Sequence, residues 1–300
     1  MAKRTPEGPP PPPAVQKLRL RYTKRGRLRF TSHRDIARAF ERALRRAQVP
    51  MAYSAGFSPH PKISWVGAAP TGVASEAEYV EISLAVRVEP DALRAALDGS
   101  LPAGIDVVEV VEAVPGTSLP DLVQASGWEV LLAGVEPAAA AAAVQAFLAA
   151  PEVLVQRLVK DGMRTLDARA AVVSLRASGT AAFRASGTET FRASGTETFR
   201  ASGTETFRAS GTEGDPACAT LAMVVRHLTP AVRPDDVLSG LRLVADLETP
   251  VPPAATRVRQ GPLTESGGVG DPLAPDRTHA FGETRQATDS VQVAAGAKAP

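Results

Sequence analysis

Three hundred residues of 31.3 kDa allow two domains of about 100 to 150 residues, and 44% hydrophobic against 22% charged residues is enough apolar material to bury their cores. The single cysteine, Cys218, excludes an internal disulfide framework, a paired-cysteine zinc ribbon and a self-contained iron–sulfur cluster. The longest apolar run, around residues 137–150, is mostly alanine and shorter than the roughly 20 residues a membrane span needs. Residues 1–13 end in five prolines and lack the apolar core of a secretory signal, so a cytoplasmic chain without membrane contact is expected.

The net charge of +2 conceals a strong asymmetry. Between Lys17 and Arg46 stand twelve basic residues against two acids, Asp35 and Glu41, a local charge of +10 that leaves −8 for the rest of the chain. Such clustering predicts a basic face with an acidic partner.

In chain order, residues 1–14 hold six prolines and read as a solvated, disordered tail. Residues 17–23 alternate basic side chains with Leu18, Leu20 and Tyr22, and the alternation resumes through Leu28 and Phe30 after the turn at Gly26. This predicts a strand or hairpin with one apolar face and one lined by arginines 19, 21, 27 and 29. Ser32 followed by Asp35 marks a helix start, and Ile36, Phe40, Ala43, Leu44 and Ala47 recur at helical spacing up to Pro50. An extended stretch at 62–68, a strand at 78–86, a helix at 90–98 and a strand at 105–114 complete a βαββαβ order over 15–120, which is that of a ferredoxin-like split βαβ unit.

Residues 127–265 repeat the theme. Strands are expected at 128–135, 153–160, 165–175, 217–228 and 256–259, with helices at 137–149 and 233–243, so the predicted class is α+β with two tandem ferredoxin-like halves. Within the second half, 176–213 contains near-identical octapeptides of the form RASGTETF. Units this short and this rich in Gly, Ser and Thr do not form a supersecondary element, so an expanded hairpin loop is expected there. Residues 266–300 show no repeating apolar face and read as a second disordered tail.

Three residues invite a chemical reading. His60 lies between Pro59 and Pro61, with Lys62 two positions on, in a run that begins at Tyr53 and turns at Gly56. Prolines fix their own φ and bias their predecessors toward extended backbone, so this run presents one imidazole and one ammonium rigidly toward a phosphate or a base. His33 stands at the expected helix start, where the free N–H groups of the first turn attract anions. Along the same helix Arg34, Arg38, Arg42 and Arg45 follow helical spacing on a face other than the apolar one, a pattern suited to phosphates. The four histidines and one cysteine offer no pair with metal-ligand spacing in one element, so no metal or cofactor is expected.

Four segments together carry a resemblance: Leu28-Arg-Phe-Thr-Ser-His-Arg-Asp35, Arg38-Ala-Phe-Glu-Arg-Ala-Leu-Arg-Arg46, Tyr53-Ser-Ala-Gly-Phe-Ser-Pro-His-Pro-Lys-Ile-Ser64 and Gly72-Val-Ala-Ser-Glu-Ala-Glu-Tyr79. They resemble the radical-SAM-linked family of bacterial proteins, a domain of unknown function found alone or fused behind a B12-binding radical SAM protein. The likeness is specific over 28–79 and broad over 15–260, and His33, His60 and Lys62 fall on family-like positions, whereas the octapeptide run departs from the pattern. It implies a radical SAM enzyme as partner. Because one cysteine cannot supply the three thiolates of that enzyme's cluster, the expected role is an accessory module that presents RNA or a ribonucleoprotein. Nucleic-acid contacts are expected from Arg19, Arg21, Arg27, Arg29, Arg34, Arg38, Arg42 and Arg45, although the stacking aromatics of a typical RRM are not evident. The alternative follows from the similarity of tandem ferredoxin-like halves to CRISPR repeat-processing endoribonucleases: metal-independent RNA cleavage with His33 or His60 as acid/base and Lys62 opposite the phosphorane. A third reading, a protein–protein adaptor, would show no salt-dependent RNA affinity.

Overall fold

A computed structural model of the chain describes residues 11–160, 162–179 and 217–279. It is a mixed α+β protein with a mostly sheet core, divided into two compact units. The first comprises the chain up to Thr71, Ser75–Val123 and the segment from Asp271 onward; the second is Gly72–Ala74 with Gln124–Gly270. The octapeptides from residue 180 onward lie outside the described residues, as do residues 1–10 and 280–300.

In the first unit β1 (Gln16–Lys24) is central. It pairs antiparallel with β3 (Ala74–Leu84) on one side and β4 (Val107–Glu112) on the other, and β2 (Ile63–Val66) pairs antiparallel with β3. The order across this sheet is therefore β4-β1-β3-β2. Period-two alternation turns Leu18, Leu20 and Tyr22 of β1 and Val80, Ile82 and Leu84 of β3 into one core. Helix α1 (His33–Arg46) and helix α2 (Pro90–Asp98) close that core with Ile36, Phe40 and Leu44 from the former and Leu93 and Leu97 from the latter. Ser32 caps α1, its side chain accepting from the Asp35 amide at 3.3 Å, and Arg45 and Arg46 complement the dipole in the last turn.

The expected second strand of a hairpin after Gly26 does not form. Gly26 has φ 55°, and Gly26–Phe30 is a short 3-10 helix from which Leu28 packs on the core while Phe30 is 60% exposed. Alternation over five residues is too short to separate a strand from a tight helical turn.

The second unit repeats the strand order with its own elements. β5 (Ala125–Ala133) lies between β9 (Cys218–Arg226) and β10 (Ala254–Gly261), and β8 (Val172–Gly179) pairs outside β9, all antiparallel, giving β10-β5-β9-β8. Helix α3 (Leu119–Leu122) precedes β5 in the first unit, and α4 (Pro137–Ala149) follows it in the second. The single strand expected at 165–175 is two strands. β6 (Leu154–Val159) and β7 (Gly162–Asp167) form a separate hairpin, and the four-residue helix α5 (Ala168–Ala171) divides β7 from β8. Asp167 makes the break, its side chain accepting from the Arg169 amide at 2.9 Å as a helix cap.

Helix α6 (Pro234–Ala245) approaches α4 closely at Gly240. A Cβ there would stand 2.7 Å from the Phe147 ring and 3.0 Å from Val153. Gly240→Ala should therefore destabilise this unit by about 1–3 kcal/mol despite alanine's better helix propensity, read as a lower midpoint in chemical denaturation; a more stable variant would show that the two helices are free to separate. Among the described residues no helix is long and apolar enough to cross a membrane.

Candidate nucleic-acid interface

The polar face of β1 is not open to a ligand. Arg19 is fully buried: Nη1 donates to both Asp276 carboxylate oxygens at 2.9 and 3.0 Å, Nε to Glu81 at 3.0 Å, and Nη2 to the Thr117 carbonyl at 3.0 Å and hydroxyl at 2.9 Å. Asp276, itself fully buried, also accepts from the Val114 amide at 2.9 Å. One residue on, Arg277 pairs with Glu109 and Asp271, and both carboxylates raise its pKa above the usual arginine value. Leu273 is fully buried in a second apolar cluster with Val66, Ala77, Tyr79, Leu119 and Val123. Burial, followed by the nearby Asp271 charge, pushes the Tyr79 phenol well above its ordinary pKa.

This geometry corrects two expectations. Residues 271–279 are a packed part of the first unit and not a disordered tail, because one aspartate and one leucine match a buried guanidinium and an apolar patch. Arg19 is spent internally and has no surface for nucleic acid. Arg21, opposite Tyr79 on β3, is half-buried on the same covered face. The acids near Tyr79 are structural as well, since Glu78 is buried and accepts from the Ala69 amide at 3.0 Å, Glu81 holds Lys17 and Arg19, and Glu76 holds Arg25.

The remaining basic residues lie on α1 and the turn before it. With Ile36, Phe40, Ala43 and Leu44 buried, Arg34, Arg38, Arg42 and Arg45 face solvent. Two of them have partners on the helix itself: Arg38 stands 3.6 Å from Asp35, and Arg45 donates to the Glu41 carbonyl at 3.1 Å and stands 3.7 Å from its carboxylate. Arg34 and Arg42 make no ion pair among the described residues. Like charges one turn apart repel, so this row is held by the apolar face beneath it and leaves its attraction for an external anion. Arg27 is exposed, and Arg29 lies over the Phe30 ring at 4.6 Å.

Beside α1, residues 51–62 form a small, well-tied loop. Tyr53 bridges to Pro61, the Ser54 amide donates to the His60 carbonyl at 2.9 Å, and the His60 amide donates to the Ser54 hydroxyl at 3.0 Å. The Lys62 amide donates to the Ala52 carbonyl at 2.8 Å. Thus the His60 backbone does the structural work while its ring, Lys62 and Phe57 are exposed. The loop and α1 enclose a cavity of about 260 Å³, whose polar groups come from Glu41, Arg45, Tyr53 and His60. Glu41 and Arg45 also line a shallow groove with Arg38, Arg42 and Arg46.

His33 does not line that cavity. Its ring packs edge-on against Trp65 at 5.2 Å, and Trp65 in turn meets Phe40 at 5.2 Å and Tyr22 at 6.2 Å. Of the two candidate acid/base histidines, only His60 lines the cavity. Sequence reasoning missed Glu41 as a cavity group and Phe30, Tyr53 and Phe57 as exposed rings; for Tyr53 and Phe57 the sequence signal was an aromatic inside a run broken by Gly56, Pro59 and Pro61. Among the described residues no cluster of His, Cys, Asp or Glu is suited to a metal ion.

Residues 17–234 match the family described as an uncharacterized protein conserved in bacteria, DUF2344. The chain belongs to this family. No curated protein matches it. The span matched to DUF2344 contains α1, the 51–62 loop and all of β1 but Gln16, whereas the segment that covers Arg19 lies beyond it. Since the ring of His60 and the side chain of Lys62 are exposed, His60→Ala and Lys62→Ala in this DUF2344 member should leave the thermal midpoint within roughly 4 °C of wild type while abolishing its contribution to cellular function. Residual function in proportion to a reduced folded fraction would remove both from the site.

Proposed function

We propose that this protein is an accessory, RNA-presenting module that acts with a separate, B12-binding radical SAM enzyme in the modification of RNA or a ribonucleoprotein. The carrying observation is the exposed arginine row of α1, with Tyr53 and His60 beside Arg45, together with the exposed Phe30, Phe57 and Lys62. Basic side chains for phosphates beside aromatic faces for bases are the usual means of holding single strands. The enzyme partner follows from the resemblance over 28–79, and from a chain whose one cysteine leaves a radical SAM cluster to another polypeptide.

We also read each unit as ferredoxin-like, since the orders β4-β1-β3-β2 and β10-β5-β9-β8 are that fold's arrangement with all neighbours antiparallel. In the first unit the sheet face that serves other such folds as an RNA platform is occupied by residues 271–279, which moves the interface to α1. Work in the cytoplasm is part of the proposal.

Affinity capture of the full chain from its native cell extract, with and without nuclease, tests the reading. Recovery of a radical SAM enzyme together with nuclease-sensitive RNA is expected. Recovery of neither overturns it. Incubation with labelled RNA in chelator addresses the endoribonuclease alternative, for which specific cleavage lost in His60→Ala is the required result.

A further inference from the structure

The cavity between α1 and the 51–62 loop differs in character from the arginine row that runs past it. Its walls are apolar, from Leu44, Val49, Met51, Pro59 and Pro61, and the half-exposed Tyr53 ring stands at its rim. Pockets for drug-sized ligands run from about 300 to 1,000 Å³. At about 260 Å³ this one suits a single planar ring system and not a whole dinucleotide or extended cofactor. Its polar groups are few and of different kinds. Glu41 is its only carboxylate and only accepts hydrogen bonds, while Arg45 and His60 offer donors. Arg45 also steadies Glu41, its Nε donating to the Glu41 carbonyl at 3.1 Å and its Nη2 standing 3.7 Å from the carboxylate.

We propose that this cavity receives one unstacked guanine base of a single-stranded RNA whose phosphates follow Arg38, Arg42 and Arg46; the inference rests on the RNA reading above and assigns that site its base. Guanine alone presents two adjacent donors, N1–H and the N2 amino group, on its pairing edge, so a carboxylate can accept from both. Adenine and cytosine place an acceptor beside their one amino donor, and uracil flanks its N3–H with two carbonyls, so each sets a lone pair against Glu41. The guanine O6 and N7 acceptors find donors in Arg45 and His60. The apolar lining and the Tyr53 ring reward a stacked heterocycle. The same edge is occupied in a duplex, so the base must be unpaired to enter.

Fluorescence anisotropy on the full chain tests this with labelled oligouridines that carry one guanosine, adenosine or cytidine, a plain oligouridine, and a hairpin in which the guanosine is paired. The guanosine strand should bind about tenfold more tightly than the others, and pairing should abolish the advantage. Glu41→Gln should bring the strands level while the salt slope of plain oligouridine stays unchanged; far-ultraviolet circular dichroism should match wild type, since the Glu41 side chain is 43% exposed. Tyr53→Ala should weaken every single strand. Equal affinity for all single strands with an intact salt slope overturns the base pocket and leaves the RNA reading standing. Absence of salt-dependent binding to any strand overturns both, and guanosine preference surviving in Glu41→Gln overturns the assignment of Glu41.

Discussion

Asp276→Ala should destabilise the first unit by about 3 kcal/mol, near the low end of what breaking a buried pair costs. Arg19 would lose both carboxylate oxygens while still fully enclosed, and the Val114 amide would lose its acceptor. Glu81 and Thr117 remain to hold the guanidinium, which keeps the loss from the upper end of the range. Pairing Asp276→Ala with Arg19→Met should recover much of the stability, because a buried charge without a partner costs more than an apolar replacement of both. Urea unfolding followed by a first-unit probe such as Trp65 checks both; an Asp276→Ala protein within about 0.5 kcal/mol of wild type would mean that residues 271–279 do not seal the sheet.

Replacing Arg34, Arg38, Arg42 and Arg45 with glutamine should reduce the dependence of RNA affinity on log salt by about 0.7 for each lost phosphate contact, close to 3 if all four touch phosphates. Folding should be unaffected or slightly improved, since these side chains are exposed and three of them stand at successive four-residue intervals. Arg19→Met, among variants that still fold, should leave that slope where it was. The pair of measurements separates two kinds of arginine that look alike in the sequence. An unchanged slope in the fourfold variant takes α1 out of the interface.

That likeness explains which parts of the molecule were legible. Helix α1 was readable because its start, its apolar face and its end are all local: Ser32 with Asp35, then Ile36, Phe40 and Leu44, then Pro50. Most of the strands were readable from alternation, β7 and β8 being run together as one. Arg19 was misread because an arginine at every second position looks like a solvated face, and nothing nearby in the chain reveals that its partner is an aspartate 257 residues away. The 266–279 segment was missed for the complementary reason, since one leucine and one aspartate carry its packing and show no period. The break at Asp167 had a local signal, a capping residue inside an apolar run, that alternation outweighed. The cavity was half visible: His60 stood out between its prolines, but the Tyr53–Pro61 bridge that sets it beside Glu41 is a tertiary event.

The clasp on Arg19 also sets a timetable for synthesis. Ribosomes add about 5–20 residues each second, so roughly tens of seconds pass between the emergence of Arg19 and that of the aspartate 257 positions later that completes its set of partners. Until then only Glu81 and Thr117 are there to hold Arg19, and the apolar patch of Tyr79 and Val66 that Leu273 later fills is still uncovered. A message cut short before codon 276 should therefore yield a first unit that lacks the buried carboxylate opposite Arg19, a less stable form more open to proteolysis.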